Sequence, residues 1–204
     1  MGVRFCDETA FGFGWIASEP AFLERASHAL RANGRVWLVD PVDGEGVEER
    51  VRALGQPAGV VQLLDRHERD CASFAERLGV QLHRLPFGRI TGSPFEILLV
   101  LDRRRWREIA LWWAEDRVLV CADALGTARY YRAPGERLAL HPLLRPLPPT
   151  SLRDLPRGLT PRHVLCGHGE GIHGDEAALA LSEAVSTARR RILRYVIGLT
   201  RGRR

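Results

Sequence analysis

Three short stretches gather the side chains that do chemistry: Asp65-Arg66-His67-Glu68-Arg69-Asp70, Cys121-Ala122-Asp123-Ala124-Leu125 and Cys166-Gly167-His168-Gly169. Asp65 and His67 are two apart and share a face of an extended chain. His67 and Asp70 are three apart and meet if a helical turn begins there. Either geometry aims imidazole and carboxylate at one cation, a donor set suited to zinc, iron or manganese. Glycines on both sides of His168 let the backbone turn tightly and leave the ring uncovered.

Such residues work only if separate elements bring them together. Strands are expected at 11–17, 35–39, 59–64, 80–85 and 163–166, and helices at 20–32, 47–54, through 78 and from 175 to about 197. The apolar run 59–64 reads as a strand buried on both faces. Segments 108–114 and 117–121 flank Glu115-Asp116 as an antiparallel hairpin, which makes the sheet mixed. Trp112 and Trp113 alternate on that hairpin, one facing each layer. Segment 142–149 holds four prolines and reads as a rigid surface crossing. Strand, helix and strand in this spacing mean α/β layering, and each chemical stretch falls at a strand end, where ligands collect in such folds.

Composition narrows the function. The chain has 204 residues, is 45% hydrophobic and 27% charged, and fits one large domain. No apolar run approaches the roughly 18 residues of a membrane-spanning helix. Segment 1–13 carries acids and glycines in place of a basic, then apolar, leader. Cys6, Cys71, Cys121 and Cys166 form no CxxC pair, which points away from a zinc finger and toward reduced thiols in a cytoplasmic protein. All 30 basic residues are arginine, which excludes lysine Schiff-base chemistry and a P-loop lysine. A net charge of +5 is modest, and with no aromatic interleaving nucleic acid is not the expected partner.

The order of these stretches resembles the metallo-β-lactamase superfamily, over Val36-Trp37-Leu38-Val39-Asp40-Pro41, 62–79, 109–125 and 164–169. The resemblance implies a four-layer αβ/βα sandwich with mixed sheets over residues 1–188. Residues 189–204 are then the basic end of the last helix and a tail. The family pattern has a strand ending in Asp, a His-x-His-x-Asp-His motif, a Gly-His, a bridging Gly-Asp and a final Gly-His. Here Asp123 matches the bridging aspartate and His168 the final histidine. In one register His67 takes the second histidine, leaving Asp65, Arg69 and Asp70 at the other three motif positions. Shifted by one, Asp70 takes the aspartate and Arg66, Glu68 and Cys71 replace the histidines. An arginine of 103–105 stands where the next histidine would be.

The resemblance therefore implies an eroded metal site made of Asp65, His67, Asp70, Asp123 and His168. Three or four of these groups suffice for one divalent metal (zinc, iron or manganese) and for hydrolysis of an ester, thioester or phosphodiester, with Asp70 as general base. In the other reading no metal binds, and Arg66, Arg69 and Arg104 pair with the carboxylates. The chain is then a catalytically silent relative, or a binding protein whose arginine-lined cleft takes a small anionic ligand. Asp65, His67 and Asp70 would otherwise simply cap the following helix. His163 and His173 read as surface residues, and His28, His83 and His141 carry no function. Residues 189–204 form a basic amphipathic end that either touches anionic lipid or nucleic acid, or packs on the sheet with a solvated tail.

Overall fold

Strands covered on both faces must be apolar throughout, and the computed structural model, which describes residues 2–18 and 23–201, follows that rule. Strands β1 (Val3–Thr9), β2 (Gly12–Ala17), β3 (Ala26–Ala32) and β4 (Arg35–Val39) form an antiparallel meander. Helices α1 (Val47–Leu54) and α2 (Cys71–Leu78) then carry the chain to β5 (Gln56–Gln62) and β6 (Gln81–Arg84), which pair parallel to β4 and to each other. The second sheet is built from β7 (Glu96–Arg103), β8 (Trp106–Trp113) and β9 (Val118–Cys121), with a short ribbon of β10 (Leu125–Gly126) and β11 (Ala139–Leu140) beside it. Helix α3 (Thr150–Gly158) leads to β12 (His163–Cys166), which pairs parallel to β9, and β13 (Ile172–His173) closes the edge. Helices α4 (Glu176–Thr187) and α5 (Ile192–Arg201) end the described chain.

Three apolar layers hold these pieces in register. Trp37, Val39, Val61, Ile109, Leu111, Trp113 and Leu165 pack between the sheets. Leu38, Val60 and Phe74 seal the first sheet under α1 and α2. Trp112, Leu119, Leu152 and Leu181 seal the second under α3 and α4. The order is helix, sheet, sheet, helix, the four-layer αβ/βα sandwich with mixed sheets, and Trp112 and Trp113 do face opposite layers.

Four local expectations are corrected. The helix expected at 20–32 gives way to strand β3, because Ala26 and Ala29 are fully buried and their small side chains suit a strand sandwiched on both faces. An edge strand, β1, precedes the expected ones, its alternating burial leaving one face to solvent. The long last helix is two helices, broken at 188–191 so that α5 can turn back and Tyr195 can donate its hydroxyl to the Tyr130 carbonyl at 2.9 Å. The proline-rich crossing buries Arg145, which is 1% exposed and forms a bidentate pair with Glu136 at 3.0 and 2.6 Å. That pair anchors the loop before it to the Pro142–Leu144 turn.

One histidine ties the two sheets together. His28 of β3 is 2% exposed, and its Nε2–H donates to the Cys166 carbonyl of β12 at 3.0 Å. Burial is the main reason its pKa lies below the ordinary value, so the folded protein holds it neutral. The stability this confers is present above about pH 6.5, the ordinary histidine value, and is lost as the pH falls through the depressed folded value. His28→Gln keeps an N–H for Cys166 and cannot titrate. Relative to the parent, its melting temperature should rise as the pH falls from 6.5 toward 4, and a gap independent of pH would refute the assignment.

Candidate metal centre

The site lies where β4, β5, β9 and β12 end. Cys121 and Cys166 are register partners on parallel strands, so the residues two positions past each, Asp123 and His168, emerge side by side. Asp40 follows β4 with φ 45, and Arg69 follows the turn after β5 with φ 39, both in the region L-residues seldom occupy. Strain of this kind persists where surrounding structure over-determines it. Asp40 shows how: Oδ1 accepts the Leu63 N–H at 2.9 Å, and Oδ2 faces His67 Nδ1 at 2.7 Å.

His67, Asp123 and His168 converge. Asp123 Oδ1 lies 2.9 Å from His67 Nε2 and 3.0 Å from His168 Nε2. Among the described residues this is the one group of three such side chains whose donor atoms all lie within 4.8 Å of one another. Both imidazoles are locked from behind. His168 Nδ1 faces the Leu23 carbonyl at 2.7 Å, which can only accept, so this nitrogen carries a proton. The Asp40 carboxylate, 2.7 Å from Nδ1, favours the same tautomer on His67. In its neutral form each ring turns a bare Nε2 lone pair toward the carboxylate oxygen.

Three lone-pair donors cannot crowd together without a positive charge between them. Burial would raise the Asp123 pKa, but its contacts with His168 and His67 hold it far below the carboxylate range. Burial and Arg69 push His67 down, and Asp40 and Asp123 more than reverse this, so its pKa is raised. The buried Oδ1 of Asp123 has no hydrogen-bond partner despite those short distances, since in the Nδ1–H tautomer neither Nε2 has a proton to donate. Atoms aimed at a shared point leave this signature, and the two-imidazole, one-carboxylate set fits a divalent transition metal.

A buried carboxylate fixes the loop that carries Asp123. Glu108 of β8 is 0% exposed and accepts the N–H groups of Ala122 at 3.2 Å and Ala124 at 2.9 Å, with Trp106 Nε1–H at 2.8 Å. Burial pushes its pKa up to about 7. Trp106, Tyr131 and His141 make an aromatic wall, with ring centroids of His141 at 4.9 Å from Trp106 and 5.5 Å from Tyr131. Tyr131 continues to His168 at 5.7 Å, and burial lowers the His141 pKa to about 4, so its ring is neutral.

The structure separates the other expected site residues. Asp65 accepts the Arg107 N–H at 3.0 Å and stitches the two sheets. Asp70 precedes α2 and accepts the Asp43 N–H at 2.7 Å. Neither belongs to the converging group. Arg66 stacks 4.8 Å above Trp106 and reaches Asp123 Oδ2 at 3.4 Å. Arg69 is half-buried behind His67, donating to the carbonyls of Ala26, Asp40 and Gly167 at 2.5, 2.9 and 3.0 Å, with its Nη2 3.5 Å from His67 Nε2. Arg104 sits in the exposed turn between β7 and β8, and Arg66 takes the Asp123 contact expected of it.

Sequence reasoning placed Asp40 at its strand end without giving it a partner, gave His141 no function, and passed over Glu108. A lone acid inside the apolar strand 106–113 was the available signal for Glu108. His163 and His173, read as surface residues, are partly buried and pair through Nδ1 at 2.8 Å, with His173 Nε2 2.9 Å from the buried Asp7.

Glu108→Ala tests the support of the loop. It strips the acceptor from three N–H groups, at about 1–3 kcal/mol for each that stays buried. Urea unfolding should show a loss of about 3 kcal/mol or more, and metal affinity should drop about 10- to 100-fold, as for other groups that orient a ligand. Unchanged stability and affinity would refute that role.

No protein-family model and no curated protein sequence matches the chain. Solved structures do. DIM-1 metallo-β-lactamase aligns with a TM-score of 0.64 at 10% identity over 92% of this chain and 99% of that one. A metallo-β-lactamase from Pontibacter korlensis aligns at 0.61 and 8% identity, over 90% and 99% of the two chains. The flavodiiron protein from Giardia intestinalis aligns at 0.64 and 12% identity over 93% of this chain, which spans 60% of that protein. A likeness at such low identity is one of architecture, and on it, with the layer order and strand-end site described above, the chain has the metallo-β-lactamase fold.

Proposed function

We propose that this protein is a single-metal hydrolase acting on an anionic ester, thioester or phosphodiester. The observation that carries the reading is the convergence of His67 Nε2, Asp123 Oδ1 and His168 Nε2, with the far nitrogen of each ring locked by Asp40 or by the Leu23 carbonyl. A zinc, iron or manganese ion held by these three atoms would supply a Lewis acid that acidifies water and polarises a carbonyl or phosphoryl oxygen. Arg69, held by three carbonyls beside His67, puts a permanent charge where the family pattern has an aspartate, which favours one cation over two. Arg66, half-exposed above Trp106, is placed to take the negative group of a substrate while Trp106, Tyr131 and His141 line its apolar side. The proposal gives Asp70 no proton-transfer role, since its carboxylate is spent on the Asp43 N–H. Four free, buried cysteines support a cytoplasmic setting, and no described helix is long and apolar enough to cross a membrane.

The Arg69–His67 contact favours a second reading. There, protons on both imidazoles and the Arg66 and Arg69 guanidiniums neutralise Asp123, and the cleft binds an anion without turnover. Elemental analysis of protein purified without chelator or tag metal separates the two. The hydrolase reading expects about one metal per chain, lost in His168→Ala and in Asp123→Asn together with cleavage of nitrophenyl esters and bis(nitrophenyl) phosphate. It also expects added zinc or manganese at about 100 times Kd to stabilise the apo fold by about 2.7 kcal/mol. No bound metal and no stabilisation would leave the silent reading standing.

A further inference from the structure

At the opposite end of the sandwich, a second cluster of donors has no acceptor. A cavity of about 360 Å³ opens where β4, β5 and β6 begin, lined by Arg35, Trp37, Gln81, His83, Arg89 and Thr91 among others, with no carboxylate in its wall. Arg35 opens β4 and Asp40 follows its end, so about five residues of extended strand, roughly 16 Å, separate this cavity from the metal centre. Among the described residues neither Arg35 nor Arg89 has an ion-pair partner, and both side chains face solvent at the mouth of this cavity.

The wall is also built, not merely open. Gly92, with φ 78, turns the loop so that its backbone sits against the Arg35 guanidinium, and a β-carbon there would lie 3.2 Å from Nη1. Trp37 is 1% exposed, yet its indole N–H finds no hydrogen-bond acceptor. An orphaned buried donor costs free energy unless something supplies a lone pair. Gly59 makes room for the ring, since a β-carbon there would come within 2.5 Å of it. A neighbouring cavity of about 630 Å³ shares Arg89 and Thr91 and is lined by Trp113, whose indole N–H is likewise unpartnered and buried. That neighbour also carries Glu115, so the acid-free cavity is the one suited to the charged end of a ligand.

We propose that this cavity binds the phosphate group of a small phosphorylated molecule, independently of the metal centre. Two solvent-facing guanidiniums in one wall without a carboxylate suit a dianion, and their planar forks match phosphate oxygens. The volume is at the low end for a small-molecule pocket, enough for a phosphate and a compact organic group, with the larger neighbour open to the remainder.

Inorganic phosphate is the probe, titrated calorimetrically into the full, metal-free chain carrying Arg66→Gln, which removes the exposed guanidinium placed to take an anion at the metal centre. One phosphate per chain is expected. Arg35→Gln and Arg89→Gln, both at exposed side chains, should each weaken binding about tenfold, the worth of one charge-assisted contact. Together they should abolish it at an unchanged melting temperature. Trp37→Phe should weaken it by a smaller factor. Phosphate that does not bind saturably, or that binds equally well to the Arg35→Gln/Arg89→Gln double variant, would overturn the proposal.

Discussion

Everything at the metal centre depends on two proton positions set from behind. Asp40 and the Leu23 carbonyl hold the protons of His67 and His168 on Nδ1, which forces both Nε2 lone pairs toward a carboxylate oxygen about 3 Å away. Left alone, that arrangement is repulsive, and water reaches it poorly because both rings are largely buried. A positive charge must sit among the three atoms, as a metal or as protons. The fold keeps the arrangement because each partner is itself tied to a sheet. Asp40 is bound to Leu63, Asp123 is flanked by N–H groups bound to Glu108, and His168 follows β12 directly.

The two buried carboxylates thus have opposite assignments. Asp123 is ionised and faces the cluster. Glu108, on β8 and bonded to the N–H groups on either side of Asp123, is fully buried and raised to about 7. An ionised Glu108 adds negative charge behind Asp123 and strengthens its pull on a cation; a protonated one weakens it. Because burial raises the Glu108 pKa, the stability linked to this group is full below its ordinary value of 4.5 and is lost as the pH rises through about 7. The electrostatics that favour a cation therefore grow over the same pH range in which the fold gives up some stability.

Much of the architecture was readable because it rests on pattern. The apolar runs at 35–39 and 59–64, the helix at 47–54 with Gly55 after it, and the hairpin around Glu115-Asp116 all announced themselves by period and punctuation. Asp123 and His168 were legible as polar residues just past apolar strands. What failed was what depends on tertiary cover. Segment 26–32 carries alanines that suit a helix by propensity, yet it lies between layers where only small side chains fit. The sequence alone shows neither which way a carboxylate turns, so Asp65 and Asp70 read like Asp123, nor which distant acid serves as partner, so Asp40 and Glu108 stayed hidden. Their roles come from backbone N–H groups that exist only after the two sheets meet.

The arginines show why an eroded motif need not be an empty one. A chain without lysine meets every need for positive charge with guanidinium, whose planar donors suit carbonyls as well as carboxylates. Arg69 uses that capacity fully, spanning Ala26, Asp40 and Gly167 and so joining β3, the end of β4 and the loop after β12. In one register of the family pattern this position is a metal ligand; here it is a cation that ties the strand ends around His67. The strand ends therefore still meet around His67, Asp123 and His168, and the positive charge that their convergence requires, as a metal or as protons, has to sit among three atoms about 3 Å apart.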